Sequence, residues 1–564
     1  MTRERSHWGW GWSDKFPSAR ERASLAERIA FLLGSPELGR RAPREPVPLE
    51  AARVREPRIA LPERLVAFAT QDRATRARRA LGRAYPDLVR GFSGDFSMAP
   101  DVVCEPTSED DVRLALEVCA AERLACIPYG GGTTVTAGVE PSARLLDAES
   151  PFRGVVTLDL GRMSRLLEVD PVSRAARFQA GVLGPALEEQ LAPHGLTLRH
   201  YPQSFEFSTL GGWIATRSGG HFATLTTHID DFVEAVRVVT PTGTLATRRF
   251  PASGAGPSPE RLVLGSEGVL GVITEAWVRV LPRPHWRSTA SVRFECFEAG
   301  ARAARAIAQS GLYPANCRLL DPLECLLHAV PSDGGAMLLL GFESADHPLE
   351  HSMERALDLA EREGGRCPAG AKYRVDAGPQ SEGSSAWKRA FFEAPYLQTA
   401  LVSLDVVVDT FETACTWDAF PRVDAAVREA TQRALGEACG GGVIAARFTH
   451  VYPDGPAPYY TFLGPGREGE TVEQWLHVKR AASDALAAAG ATITHHHSVG
   501  RVHRPWYERE VPEPFLRMLG AMKASVDPQG ILNPDVLLSA PSAPRRRPHA
   551  ERPSRRALAT AELA

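Results

Sequence analysis

A chain of 564 residues, 44% hydrophobic and 24% charged, is long enough for several cores and has the composition of a globular protein. Its formal net charge of -3 excludes the chain-wide basic field expected of a nucleic-acid binder, and no apolar run approaches the ~18 residues of a membrane span. Nine scattered cysteines, odd in number and without a C-x-x-C, argue against a disulfide scaffold or a zinc site and for a reducing compartment.

Along the chain, residues 1–95 read as an N-terminal helical region, with Arg/Ala-rich helices over Ser18–Leu33 and Leu65–Leu81 split by a Pro-rich linker near 42–62. Residues 96–283 change to short β-branched runs and glycine turns. A helix over Glu109–Arg123 leads to a strand over Ala125–Pro128, and a strand over Val236–Thr240 enters a Pro241-Thr242-Gly243 turn. Residues 284–490 alternate strands with amphipathic helices, for example Glu298–Ser310 and Val423–Gly436. Residues 491–540 form a compact closing segment, and 541–564 read as a disordered basic tail. Such a tail could touch anionic lipid or nucleic acid, but its composition favours simple solvation. MTRERSHWGWGW lacks the apolar core of a secretory signal, so the cytoplasm is the expected location.

Three segments suit an anionic, elongated ligand. The first is Pro128-Tyr129-Gly130-Gly131-Gly132-Thr133-Thr134, where glycines let a ligand approach the main chain and successive N–H groups can form an anion nest. It is not the G-x-G-x-x-G of dinucleotide folds, and a tight surface turn is its plainer reading. The second, Tyr201–Gly220, is dense in small donors: Ser204, Ser208, Thr209, Thr216 and Ser218, with Gly211 and Gly212 between them. The third, Leu264–Thr274, places glycines at 265, 268 and 271 before a strand over Ala276–Val280. Each is weak alone; their order and spacing are specific.

GGGTT, PQSFEFSTLGGWIATRSGG, HIDDFVEAVRVVTPTG and GSEGVLGVITEA resemble the FAD-binding domain of the vanillyl-alcohol-oxidase superfamily. WGWGWSDKF, FETACTWD (411–418), HHHSVGRVHRPW (495–506) and VDPQGILNPDVLL (526–538) are similar to the alkyldihydroxyacetonephosphate synthase branch. The resemblance implies an α+β fold: a PCMH-type FAD-binding domain in two subdomains, plus a cap domain with an antiparallel sheet and flanking helices. It implies FAD held by Pro128, Tyr129, Gly130, Gly131, Gly132, Thr133 and Thr134, by Ser204, Ser208, Thr209, Gly211, Gly212, Thr216 and Ser218, and by Glu267, Gly268, Gly271, Val272 and Ile273. No histidine lies in the GGGTT loop, so noncovalent FAD is expected.

The reaction implied is redox-neutral: the acyl group of acyl-dihydroxyacetone phosphate is exchanged for a fatty alcohol through an adduct at the flavin N5, a step of ether lipid biosynthesis. Tyr459, Arg318, His495, His496 and His497 are the catalytic residues implied. Successive residues of an extended segment point opposite ways, so two of the three histidines could face one site. A metal is discounted because no carboxylate sits at ligand spacing and adjacent histidines chelate poorly from a strand. Tyr459 could exchange a proton if a neighbouring cation lowers its pKa, with core packing as the alternative. Arg318 could clamp a phosphate or pair with Asp321 at i+3. Arg447 lies twelve positions before Tyr459, as in the family, and a structural role is open to it. Where the family has a further arginine this chain reads Gln398, which carries no charge; an FAD-linked oxidase or dehydrogenase of a hydroxy acid or alcohol is therefore the alternative reading. Acyl-dihydroxyacetone phosphate and a fatty alcohol are the expected partners, with peripheral membrane contact and a homodimer compatible and nucleic acid not. The start of the resemblance near residue 1 is consistent with a bacterial cytoplasmic protein.

Overall fold

The computed structural model describes residues 3–375 and 386–539; the basic tail lies outside the described residues. The N-terminal region opens with α1 (Ala19–Leu33), started by a capping box in which Ser18 and Glu21 satisfy each other's main-chain N–H groups, a device worth ~1 kcal/mol. The helix buries Leu25, Ala26 and Ile29 at the spacing of one helical face. The Pro-rich stretch is not a loose linker: Arg44 N–H donates to Ser403 O, its guanidinium pairs with Asp405, and Val47 N–H donates to Phe92 O.

Leu65–Leu81 is not one helix. A 3-10 turn over Glu63–Leu65 gives way to β1 (Ala69–Thr70), and a fresh helix over Arg73–Arg78 starts where the Asp72 carboxylate accepts Thr75 N–H at 2.8 Å. Sheet pairing and a cap override the apolar periodicity there. The region continues into α2 (Tyr85–Phe92).

β1 joins β2 (Val102–Cys104), β3 (Leu124–Tyr129) and β4 (Gly154–Asp159) in a four-stranded sheet ordered β1-β2-β4-β3, parallel except at β1. Helix α3 (Glu109–Glu122) crosses between β2 and β3, burying Val112, Ala115, Leu116 and Cys119. A second, antiparallel five-stranded sheet contains β5 (Leu166–Asp170), β6 (Ala175–Gln179), β7 (Val233–Thr240), β8 (Gly243–Ala246) and β9 (Val272–Arg279), ordered β8-β7-β9-β6-β5. Its core gathers Phe178, Trp213, Ile214, Val236 and Val278, with α4 (Leu210–Thr216) packed on it.

The third sheet has seven antiparallel strands: β10 (Trp286–Phe294), β11 (Asn316–Leu320), β12 (Ala336–Ser344), β13 (Lys372–Val375), β14 (Val406–Glu412), β15 (Val443–Val451) and β16 (Pro456–Pro465), in the order β13-β10-β12-β11-β15-β16-β14. Helices α5 (Phe297–Ala308), α6 (Glu350–Arg362), α7 (Ala386–Val402), α8 (Phe420–Cys439) and α9 (Thr471–Ala488) flank it. One continuous core joins this sheet to the N-terminal helices: Leu25, Tyr85 and Leu88 belong to the same cluster as Val423, Tyr460 and Phe462. Residues after 491 return to the first sheet, where Cys126 bridges Leu532 and Asn533 N–H donates to Cys126 O. The described residues thus combine two smaller sheets and one large antiparallel sheet with flanking helices, the α+β arrangement expected. No helix among the described residues is long and apolar enough to cross a membrane.

Candidate active site

A cavity of about 280 Å³ is lined by the loop after β3, by the segment leading through α4, and by β11, β14, β15 and β16. Gly130, Gly131, Gly132, Thr133 and Thr134 line it from the end of β3. The loop needs its glycines for close packing. A Cβ on Gly131 would sit 1.8 Å from Phe207 O and one on Gly130 2.3 Å from Thr209 Oγ1, while Gly132 has φ +65°. These contacts join the first glycine segment to the second. The main-chain N–H groups of residues 130–134 donate to no acceptor among the described residues. Amides left open around a cavity are the donor set a diphosphate requires, so the chain fits the phosphates of FAD. A Gly131→Ala chain should lose that loop geometry. The expected result is at least ~10-fold weaker FAD retention or failure to fold, since a buried clash of this size ranks with overpacking of ~1–3 kcal/mol or more; flavin fluorescence on dilution reads it out.

Ser204, Ser208, Thr209, Gly212, Thr216 and Ser218 also line the cavity. Several of these hydroxyls are engaged by the protein: Trp213 Nε1–H donates to Ser208 Oγ at 2.7 Å, Thr209 Oγ1 caps α4 by accepting Gly212 N–H, and Thr216 Oγ1–H donates to Gly212 O. Pro128, Tyr129 and Gly211 stand behind the wall. Gly268 packs on Pro128, the Tyr129 hydroxyl abuts Gly132, and Gly211 N–H donates to Ala180 O at 2.7 Å.

The third glycine segment supports the wall and does not line the cavity. Val272 and Ile273 are buried in β9, and Gly271 packs on Val238. Glu267, in the left-handed region at φ 49°, accepts N–H groups of Val499 and Gly500, each at 2.8 Å. Burial pushes its carboxyl up to about 7 against those two amides. Glu267 therefore ties the turn to the segment that follows the histidines.

The histidine segment is organised by Glu412, at the end of β14. Its carboxylate, 2% exposed, accepts the N–H groups of His495 (2.5 Å), His496 (3.1 Å) and His497 (2.9 Å), and the Thr494 hydroxyl at 2.6 Å. Burial alone would raise this carboxyl; the Thr494 hydroxyl and the three main-chain N–H groups that donate to it favour its charged form, and it lies well below the usual range. His496 and His497 line the cavity, whereas His495 turns away, its Nε2 2.7 Å from the Tyr452 hydroxyl. Burial keeps all three imidazoles below their ordinary pKa, so they are neutral proton acceptors at pH 7.

His450, from β15, completes a group with His495 and His496 whose ring nitrogens lie within 4.8 Å of one another. The argument from spacing along 495–497 missed this third imidazole. Hydrogen bonds already engage both nitrogens of His450 (Thr449 Oγ1, Gly220 O) and of His495 (Tyr452, His496). The cluster is a polar network around the cavity.

Tyr459, on β16, lines the cavity with its ring against His496 (centroids 6.0 Å) and its hydroxyl donating to Thr410 Oγ1 at 2.9 Å. The Arg447 guanidinium lies 4.1 Å from the ring centroid. The cation is present as anticipated, but its effect is outweighed: burial raises the phenol above its ordinary value although Arg447 pulls it down. Arg447 pairs with Glu324, which is fully buried and also 3.1 Å from His328. Arg318, 5% exposed, lines the cavity, and burial together with Arg447 lowers its pKa to about 9. It does not pair with Asp321. That carboxylate caps the helix Pro322–Leu327 through Glu324 N–H and binds Ala446 N–H and Arg428 instead. Gln398 lines the cavity too, its amide donating to Val408 O at 3.4 Å. Glu412, His450, Tyr452 and Glu324 escaped the sequence reading. Only Glu412 had a local signal, inside FETACTWD.

Residues 100–248 match the family model of the FAD binding domain, and residues 283–537 that of FAD linked oxidases, C-terminal domain. The alkyldihydroxyacetonephosphate synthase of Dictyostelium discoideum is 29% identical over 496 residues, covering 83% of this chain and 78% of the relative. Glycolate oxidase subunit GlcD of Bacillus subtilis is 25% identical over 468 residues, covering 81% and 92%. A solved alkyldihydroxyacetonephosphate synthase structure has the same fold, with a TM-score of 0.77 over 94% of this chain and 97% of that one at 24% identity. Taken with the open amides of the glycine loop, these likenesses make the chain an FAD-dependent enzyme homologous to the alkyldihydroxyacetonephosphate synthases.

Proposed function

We propose that the protein exchanges the acyl chain of acyl-dihydroxyacetone phosphate for a fatty alcohol, as an ether-lipid-forming synthase. The observation that carries this reading is the meeting, in one cavity, of the open amides at 130–134 with Tyr459, His496 and His497. Bound FAD would supply the reactive ring nitrogen to which the substrate carbon is handed. Around it, Tyr459 holds a proton on its hydroxyl, and the cation against its ring lowers the cost of giving that proton up. His496 and His497, neutral and fixed by Glu412 through their backbone, can accept the proton of the incoming alcohol, which arrives after the fatty carboxylate has left, and release it to solvent. Arg318 brings a buried positive charge suited to a phosphate or carboxylate oxyanion. The cap's apolar side chains Leu397, Leu401 and Val408 in the same wall suit the start of a fatty chain.

The holoenzyme incubated with acyl-dihydroxyacetone phosphate and labelled hexadecanol should give labelled ether product and free fatty acid. Absence of the ether, with anaerobic bleaching of the flavin by D-lactate or 2-hydroxyglutarate, would move the protein to the hydroxy-acid oxidases, where the likeness to the glycolate oxidase subunit points. Since both substrates carry long chains, we also propose peripheral contact with a membrane surface. Co-sedimentation with phospholipid vesicles reads that out, and light scattering reads out whether a homodimer forms.

A further inference from the structure

Arg83 lines the same cavity, is 5% exposed, and forms no ion pair among the described residues. Its Nη1–H donates to the carbonyl of the preceding Gly82 at 2.6 Å, and its buried Nε finds no partner. The neighbouring acids do not neutralise it. Asp87 forms no ion pair with it among the described residues: its carboxylate accepts Ala84 N–H, and burial beside Glu140 raises its carboxyl above the usual range. Glu140 is paired with Arg501 at 2.8 Å, and Asp159 with Arg79 at 2.9 Å. Arg5, whose charge is felt by Arg83, donates from Nη2 to Gly131 O. Burial and Arg5 lower Arg83 only to about 10, so it remains charged.

A desolvated guanidinium without a counter-ion is costly unless a ligand supplies the anion. Arg83 is pinned in place, since its own N–H donates to Thr134 O at 2.7 Å. It enters from the N-terminal segment and lines the same cavity as Gln398, whose amide offers no charge. We propose that Arg83 binds the phosphate of the substrate, contributing the positive charge that position 398 lacks. The assignment of that phosphate to a ketone-phosphate substrate rests on the proposed function.

The test compares holoenzyme Arg83→Met and Arg83→Lys with wild type. Loss of one charge-assisted contact should raise KM for acyl-dihydroxyacetone phosphate, and the inhibition constant of inorganic phosphate, by about 10- to 100-fold in the methionine chain. Lysine should recover part of both. FAD affinity and near-ultraviolet circular dichroism should stay at wild-type values. Unchanged KM and phosphate inhibition would overturn the proposal, as would weakened FAD binding with substrate affinity intact. If wild type makes no ether product, the functional reading has failed. Calorimetric binding of inorganic phosphate to wild type and Arg83→Met then still decides the role of Arg83: binding lost only in the variant upholds an oxyanion site, and equal binding or none overturns it.

Discussion

Tyr459→Phe should abolish nearly all ether formation, lowering kcat by ~10²–10⁴ as expected for loss of a positioned proton donor, while the flavin stays bound. The substitution keeps the ring that Arg447 covers and that lies beside His496, and removes only the hydroxyl bonded to Thr410. Its stability cost is that of one hydrogen bond, about 1 kcal/mol. The measurements are single-turnover formation of labelled ether and the visible spectrum of the same sample. An unchanged spectrum with activity within ~10-fold of wild type would remove Tyr459 from the chemistry, because general acid–base catalysis is worth more than that. Since burial holds the phenol protonated, the rate should also show no tyrosine-dependent loss on raising the pH from 7 to 9.

Glu324→Ala should have the largest effect on stability, ~3–5 kcal/mol, because it strands the Arg447 guanidinium in a site with no other carboxylate partner among the described residues. The same change should loosen Tyr459, which Arg447 covers. The linkage to pH has a definite sign. Burial alone would raise the Glu324 carboxyl, but Arg447 and His328 bring it down to about 2 from an ordinary 4.5. A depressed folded pKa stabilises the protein fully above about 4.5, and that contribution drains away as the pH falls toward about 2. Urea unfolding at pH 7 and at pH 4 should therefore show a large gap between wild type and Glu324→Gln that narrows at the acid value. A gap that is absent at pH 7, or widens in acid, would contradict the pairing.

What could be read from the sequence divides along a physical line. The GGGTT loop and the serine-rich stretch were legible because their chemistry is local: glycine conformation, short side chains and main-chain donors within a few residues. The pairing of β7 with β8 was legible for the same reason, through its Pro-Thr-Gly turn. Glu412 gathering the histidine amides, His450 joining His495, and Glu324 meeting Arg447 were not, because each contact is made between segments distant in the chain. Local reasoning also misled. Asp321 follows Arg318 by three residues, but the strand ends between them, so Asp321 caps a helix and binds Arg428. In the third glycine segment, Gly268 and Gly271 pack closely on Pro128 and Val238.

The attachment of the N-terminal segment to the cap has a consequence for how the molecule is made. Trp10 N–H donates to Thr399 Oγ1 and Arg44 pairs with Asp405, contacts that span 389 and 361 positions. Synthesised before the cap, α1 and the proline-rich stretch cannot make these contacts until the seven-stranded sheet has been synthesised and assembled. Closing so long a loop adds entropy cost only logarithmically, but it imposes an order of events. These N-terminal residues are among the last to seat fully, and until they do, the apolar face of α1 is less covered and prone to stick to other chains.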